Sequence, residues 1–513
     1  MTTSLYTPTE VVSWLRRRVR GSLRTDSRKV GPGDGFIAWP GAATDGRRFV
    51  AGALAQGASA CVVEREGVES FGFDQAEVAD YAGLKAASGP IADAYYESPS
   101  QALRVCAITG TNGKTSSAWW LAWALTKLQH PELSPSTLVG TLGIGRPDAL
   151  EYNGLTTPDP VLLQRSLREL VDGGARSCVM EASSIGIAEH RLDGTAIALA
   201  LFTNFTQDHL DYHGSMAAYW AAKAALFDWP GLQAAVINVD DPRGAWLVDQ
   251  SCARGLDVWT VSLTQAARLQ AADLHYGERG LCWRVREGAE SVPMATALVG
   301  EYNVSNLLGV IGALRALGVP LAQAAAVCAD LPPVPGRMER VERPGAPLAV
   351  IDYAHTPDAL EKVLAALRPF ASQRSGRLWC VFGCGGNRDA GKRPLMGAVA
   401  ERRSDQVLLT SDNPRDEPPS AILAQVLDGM LERSRVIVIE DRSQAIAYAV
   451  AHAGAHDVLL LAGKGHEDYQ ETAGVRRHFV DAEVAAQALR QRLAALAGTR
   501  AGASTGASAG AAA

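Results

Sequence analysis

Between residues 104 and 462 the chain follows one rhythm: apolar runs of four to six residues alternate with longer Ala- and Leu-rich segments. The runs fall at 105–109, 177–180, 198–203, 235–239, 348–351, 378–382, 406–410, 436–439 and 458–461. A run this short forms a strand, and one without polar alternation is covered on both faces. Strands that recur after helix-length segments run parallel, joined by crossovers. The rhythm therefore predicts an α/β protein with helices on both sides of its sheets.

Two breaks divide it. Around Ser98-Pro99-Ser100 the pattern restarts, and the run Leu331-Pro332-Pro333-Val334-Pro335-Gly336 cannot continue a helix and reads as a linker. With 513 residues and 47% hydrophobic side chains, each piece is long enough to bury its own core. The expected units are residues 1–100, 101–335 and 336–495. Residues 496–513, small and of low complexity, are expected to form a disordered tail.

Composition excludes several classes. The 49 Lys and Arg against 55 Asp and Glu leave a formal charge of −6, which speaks against a nucleic-acid partner. The basic run Arg16, Arg17, Arg18, Arg20 reads as a solvated helix face. No run approaches the roughly 18 apolar residues of a bilayer span, so no membrane association is expected. The opening MTTSLYTPTE lacks a charged start followed by an apolar stretch, so a cytoplasmic location is expected. Eight scattered cysteines without paired C-x-x-C spacing read as reduced, structural thiols.

The strongest local signal is the strand 105–109 followed by Gly110-Thr111-Asn112-Gly113-Lys114-Thr115-Ser116 and a helical segment. Glycines let backbone N–H groups close around phosphate oxygens, and a helix N-terminus adds positive potential. Lys114 then reaches the β- and γ-phosphates, and the Thr115 hydroxyl can ligate Mg²⁺. The longer phosphate-loop spacing would place glycine at 108, where this chain has Ile108, so the match is to a shorter G-x-x-G-K-T form. A nucleoside triphosphate is the expected ligand.

Further polar groups stand where strands end, the edge at which open parallel sheets bind ligands. Glu181 closes one apolar run and His209 follows another, and together they suit a Mg²⁺ shell. Lys223 sits in a helix with almost no other charge; it reads equally as a solvated lysine or as a buried, easily neutralised one. In the last third, Arg388 and Arg415 offer planar forks for carboxylates while Asp412 and Glu467 can hold an ammonium, a mixture suited to a zwitterionic amino acid or to a surface ion-pair network.

Read in order, GTNGKTS, EASS, TNFTQDHLDYH, YWAAKAALF, YNVSNLL, PGRMER, DYAHTPDAL, GCGGNRD, SDNPRDE and AGKGHE resemble the Mur ligases, ATP-dependent amide-forming enzymes of peptidoglycan precursor synthesis. The resemblance covers roughly residues 20–485. It implies a small N-terminal α/β domain, a central P-loop ATPase-type parallel-sheet domain and a C-terminal Rossmann-like domain. Within the family it points to the branch that adds meso-diaminopimelate, because the D-N-P-R motif of that branch is present as Asp412, Asn413, Pro414 and Arg415. Lysine-adding relatives lack this arginine, which could grip the distal carboxylate that lysine does not have.

The resemblance also implies residue roles. Thr25, Ser27 and the loop Ala42, Ala43, Thr44 would hold the UDP end of UDP-N-acetylmuramoyl-L-alanyl-D-glutamate, and Thr156, Thr157, Ser183, Glu189 and Arg191 its peptide end. Gly110 to Ser116, with Asn303, Asn306, Arg337, Asp352 and His355, would bind ATP. Arg388, Asp412, Asn413, Pro414, Arg415, Gly463 and Glu467 would bind diaminopimelate. Lys114, Glu181, His209 and Lys223 would carry the chemistry, with Lys223 converted by CO₂ to a carbamate that helps position Mg²⁺ held by Thr115, Glu181 and His209. The chain departs from many relatives at Ile185, where they carry histidine, and at Glu189, where a neutral side chain is expected.

The implied reaction has two steps, phosphorylation of the D-glutamyl γ-carboxylate by ATP and attack of the amine on the acyl phosphate, in a monomer. The rivals are a folylpolyglutamate synthase, a lysine-adding ligase and a nucleotide-switched binding module. The uridine-type N-terminal block argues against the first and Arg415 against the second. The clustered carboxylate-binding residues argue against the third.

Overall fold

The computed structural model describes residues 3–41, 44–277 and 280–506. The nine strands expected from the apolar runs are all present, their ends within about one residue of the runs. They belong to two of the three large sheets.

The first sheet has five strands in the order Thr3–Leu5, Val78–Tyr81, Ala60–Glu64, Gly35–Ala38, Leu23–Arg24, all parallel. Helix Pro8–Arg18 packs on it through Val11, Val12, Trp14 and Leu15. The helix starts where it does because Thr7 and Glu10 close a reciprocal cap and proline occupies the first turn. Arg16 faces outward and donates to the carbonyls of Ala94 and Tyr95, each at 3.0 Å.

The second sheet has eleven strands. Seven neighbouring strands run parallel: Leu269–Gly277, Asp257–Ser262, Ala234–Asn238, Leu199–Phe202, Arg104–Thr109, Ser177–Glu181 and Ser136–Gly140. Antiparallel strands extend both edges, Gly280–Glu287 and Glu290–Ala295 at one end and Gly143–Arg146 and Ala149–Glu151 at the other. Cys106 and Ile108 point to the face covered by helices Lys114–Lys127 and Glu301–Ala316, while Val105 and Ala107 point to the other. That period of two, apolar on both sides, is why these runs lack polar alternation.

The third sheet runs Glu339–Val341, Leu348–Asp352, Val458–Ala462, Leu378–Phe382, Gln406–Leu409, Ile437–Val438, parallel except for its first strand. Helices Pro357–Gln373, Lys392–Arg403 and Pro419–Leu427 cover one face; Arg442–His452 and the start of Asp481–Gly506 cover the other. The proline-rich stretch 331–338 is irregular, as the sequence requires.

The tail departs from expectation. Helix Asp481–Gly506 continues past residue 496, so 496–506 is helical, and 507–513 lies outside the described residues. Once a helix is nucleated by its packed first turns, each added residue gains a hydrogen bond, and alanine adds at the least cost. All eight cysteines are free, and no described helix is long and apolar enough to cross a membrane.

The first turn of that helix is anchored by an ion pair with no solvent exposure. Arg442 Nε and Nη2 donate to the Asp481 carboxylate at 2.7 and 2.6 Å, and Nη2 also reaches the Ala462 carbonyl at 3.1 Å. Removing one partner leaves a buried charge uncompensated. Asp481→Ala is expected to destabilise the protein by about 3–5 kcal/mol, read as a lowered urea midpoint; a shift under about 1 kcal/mol would show that the pair is dispensable.

Candidate active site

The phosphate loop forms where strand Arg104–Thr109 meets helix Lys114–Lys127. Gly110 and Gly113 adopt φ of 145° and 86°. A Cβ at Gly110 would stand 1.9 Å from Thr203 Oγ1, and one at Gly113 would stand 2.3 Å from Asn306 Oδ1, so both positions exclude a side chain. Ile108 lies inside the strand, paired with Glu181 and Leu201. The chain therefore turns two residues later than in the longer loop form, and the glycine at 108 is not needed.

Segment 203–206 of the neighbouring strand end laces the loop in place. Thr203 Oγ1 donates to the Asn112 carbonyl at 2.6 Å, and Asn204 Oδ1 accepts from the Asn112 N–H at 3.0 Å. Lys114 Nζ folds back over the loop to the Gly110 and Thr111 carbonyls, at 2.9 and 3.0 Å. Burial lowers its ammonium below the ordinary lysine range, with Glu181 and Asp208 opposing.

Glu181 is almost fully buried and holds two donors, the Thr115 hydroxyl at 2.9 Å and the Thr141 N–H at 2.7 Å. Arg337, from beyond the linker, reaches Thr115 Oγ1 at 3.3 Å. Lys223 proves to be the buried alternative: it is 1% exposed and donates to the Gly110 carbonyl at 2.6 Å. Burial and the nearby Lys114 push it well below the ordinary lysine range, with Asp208 opposing. Burial also lowers His209, with Asp208 opposing and Lys114 and Lys223 contributing.

A cavity of about 460 Å³ opens beside this centre. Thr156, Thr157, Ser183, Ile185, Arg191 and His209 line one wall; His355, Arg388, Asp412, Asn413, Arg415, Gly463 and Glu467 line the other. Arg415 sits at a left-handed φ of 53°, with its N–H on the Glu471 carbonyl at 3.1 Å and Nη1 on the Gly386 carbonyl at 2.8 Å. The departure at Ile185 thus puts an apolar group in the cavity wall.

Gly154 and Leu155 are shared with a second cavity of about 780 Å³, which Thr25, Ser27 and Thr44 line together with Arg24, Arg28 and Lys29. Asn303, Ser116 and Arg337 line a third, of about 440 Å³. There Arg337 lies over the Tyr353 ring with its buried Nε unpartnered.

Some expected residues are placed elsewhere. Ala42 and Ala43 lie outside the described residues. Glu189 lines none of these cavities: it pairs with Lys85 at 2.7 Å and accepts from the Tyr212 hydroxyl. Asp352 is occupied by the N–H groups of Met338 and Ala354, at 2.9 and 2.8 Å. His355 lines the cavity shared with Thr156 and Arg191 rather than the third one. Asn306 stands against Gly113 as a loop support, and Pro414 presents its carbonyl to Gly386. Sequence reasoning missed Asp208, Lys392, Tyr353, Tyr469 and His466 in the cavity wall, and Lys464 behind it. For Lys464 and His466 the available signal was a charged or aromatic residue between the glycines of a strand-end loop.

Three family models match: "Mur ligase family, catalytic domain" over residues 21–90, "Mur ligase middle domain" over 108–314, and "Mur ligase, glutamate ligase domain" over 336–465. The chain is 60% identical over 492 residues to the UDP-N-acetylmuramoyl-L-alanyl-D-glutamate--2,6-diaminopimelate ligase of Acidovorax sp. (strain JS42), covering 95% of this chain and 98% of that one. It is 47% identical to the protein of the same name from Janthinobacterium sp. (strain Marseille), covering 94% and 97%. A solved structure under that name is similar at 36% identity and a TM-score of 0.62, over 92% of this chain and 95% of that one. A MurF ligase from Thermotoga maritima in complex with ADP shares the fold, at 17% identity and a TM-score of 0.64, over 92% and 97%.

Lys114→Ala is expected to weaken ADP binding at least about tenfold by calorimetry and to reduce ATP-dependent phosphate release to background. Release at the wild-type rate would remove Lys114 from the phosphate site.

Proposed function

The chain belongs to the Mur ligase family, and on that premise we propose that it joins meso-2,6-diaminopimelate to the D-glutamyl γ-carboxylate of UDP-N-acetylmuramoyl-L-alanyl-D-glutamate, consuming ATP. The observation that carries this reading is the shared cavity: Thr156, Thr157, Ser183 and Arg191 face Arg388, Asp412, Arg415 and Glu467 across one space, beside the phosphate loop. An acceptor peptide and a zwitterion bound on those walls meet at the loop.

In the first step the γ-carboxylate oxygen attacks the ATP γ-phosphorus, forming an acyl phosphate and releasing ADP. Lys114, turned from the loop carbonyls to the phosphate, offsets charge on the transferring group. In the second step the amine attacks the acyl carbon, and inorganic phosphate leaves as the amide forms. Holding both reactants in one enclosed site replaces a bimolecular encounter and keeps water from the acyl phosphate.

The donor set fits Mg²⁺, which takes one or two protein oxygens and completes its shell with phosphate and water. Thr115 and Glu181 would hold it, with His209 alongside, and it would screen charge between the β- and γ-phosphates. CO₂ carbamylates the uncharged form of an amine, which burial favours, so Lys223 fits that modification, which would supply an anionic oxygen next to the phosphate loop. Nucleotide would occupy the third cavity through Asn303 and Arg337, and the UDP moiety the second through Thr25, Ser27 and Thr44. All three cavities are complete within one chain, which suits a monomer, and the reading places the reaction in cytoplasmic precursor synthesis.

Arg415 separates this reading from a lysine-adding ligase, since its fork suits a second carboxylate. In an ATP-dependent phosphate-release assay with product mass detection, meso-diaminopimelate is expected to exceed lysine by at least about 100-fold in kcat/KM. Equal use of the two would overturn the assignment. Lys223→Ala is expected to lose activity and to recover part of it with added short carboxylates; undiminished activity would remove the carbamate.

A further inference from the structure

Strand Val458–Ala462 is followed by Gly463 and Gly465, at left-handed φ of 113° and 52°, with Lys464 between them. The two reversals turn the lysine inward, and its side chain is fully buried. Its ammonium has three acceptors: Glu467 Oε2 at 3.2 Å, Asn413 Oδ1 at 3.3 Å and the Tyr469 carbonyl. An ammonium carries three N–H bonds, so none is left for a ligand.

These contacts orient the groups in front of Lys464. The Asn413 amide is fixed with Oδ1 toward Lys464 and the Glu471 N–H, and with Nδ2 on Glu467 Oε2 at 2.7 Å. Glu467 Oε2 therefore takes two donors, while among the described residues Oε1 takes none and remains for the cavity that Glu467 lines with Asp412. Two carboxylates share that wall, and Lys464 is the internal cation bonded to one of them.

We propose that Lys464 is a positioning residue for the amino-acid substrate: it holds Glu467 ionised and turned toward the cavity, so that this wall accepts an ammonium group. Burial and the repulsion of Asp412 raise Glu467 above the ordinary glutamate range, and Lys464 and Asn413 oppose that rise. Without the lysine, Glu467 loses the cation bonded to it, and burial and the repulsion of Asp412 raise it further. The neighbouring phenols Tyr353, Tyr469 and Tyr152 are raised above their ordinary value, and His466 is lowered to about 3. Arg442, behind this wall, keeps its charge throughout. The carboxylate that Lys464 bears on is therefore Glu467.

The inference rests on the reading that this cavity takes diaminopimelate; if the wild-type protein does not ligate it, that reading fails before any variant is made. With wild-type ligation established, Lys464→Met is expected to raise KM for diaminopimelate about tenfold or more near neutral pH, with KM for ATP and for the UDP-muramoyl dipeptide changed less than about twofold. Because the variant raises the Glu467 pKa further, the KM ratio to wild type should shrink as pH rises from about 6.5 to about 9. A rise shared by all three substrates, or one independent of pH, would overturn the proposal. If Lys464→Met does not fold, Lys464→Met on a Glu467→Gln background removes both charges together. Its KM for diaminopimelate should match that of Glu467→Gln alone, and a further tenfold loss would refute action through Glu467.

Discussion

Two lysine side chains share one carbonyl oxygen, that of Gly110, with Lys114 at 2.9 Å and Lys223 at 2.6 Å. Lys223 is buried and Lys114 half-buried, and two full charges at that separation in a poorly solvated site would be costly. Burial accordingly lowers both ammonium groups, Lys223 most. An anionic group brought to the loop would favour the charged form of both lysines. The left-handed turn at Gly110, backed against Thr203, presents that carbonyl to both lysines.

Parallel sheets supply the surroundings. Every strand of the parallel core ends on the same edge, so Thr109, Glu181 and Phe202 deliver their following loops to one place. The third sheet brings its own strand ends toward that edge through two cross-contacts. Asp358, in the first turn of helix Pro357–Gln373, accepts from Asn112 Nδ2 at 3.1 Å, and Arg337 reaches Thr115. These contacts join the 110–116 loop to the wall around Arg388, Asp412 and Arg415, more than two hundred residues away along the chain.

Behind the pocket, buried cations hold loops rather than ligands. Arg393, 1% exposed, grips both Glu417 oxygens at 2.8 Å and the Gly385 carbonyl at 3.1 Å, tying the 383–389 loop to the segment after Arg415. Arg442 ties the Ala462 carbonyl to the last helix, and Lys464 links Asn413, Glu467 and Tyr469. Each bonds carbonyls or carboxylates of separate strand-end loops, which converts flexible loops into a fixed frame.

The apolar runs were legible because a strand buried on both faces has no polar positions to blur it, and the phosphate loop because its glycines and lysine are adjacent in sequence. The antiparallel edges, such as Gly280–Glu287, were not read, since their alternating patterns are weaker and their pairing is nonlocal. Glu189 looked like a substrate contact and is engaged by Lys85, a partner that periodicity does not indicate. The tail was read from composition alone, which does not register a helix propagating from packed turns. By itself, then, the sequence determined the strand and helix segments, the phosphate loop and the chemical types gathered at strand ends, because these follow from local pattern. The tertiary structure decided which strand ends face one another, whether Lys223 and Lys464 are buried, and which carboxylates are already paired, because burial and charge pairing depend on residues far apart in the chain.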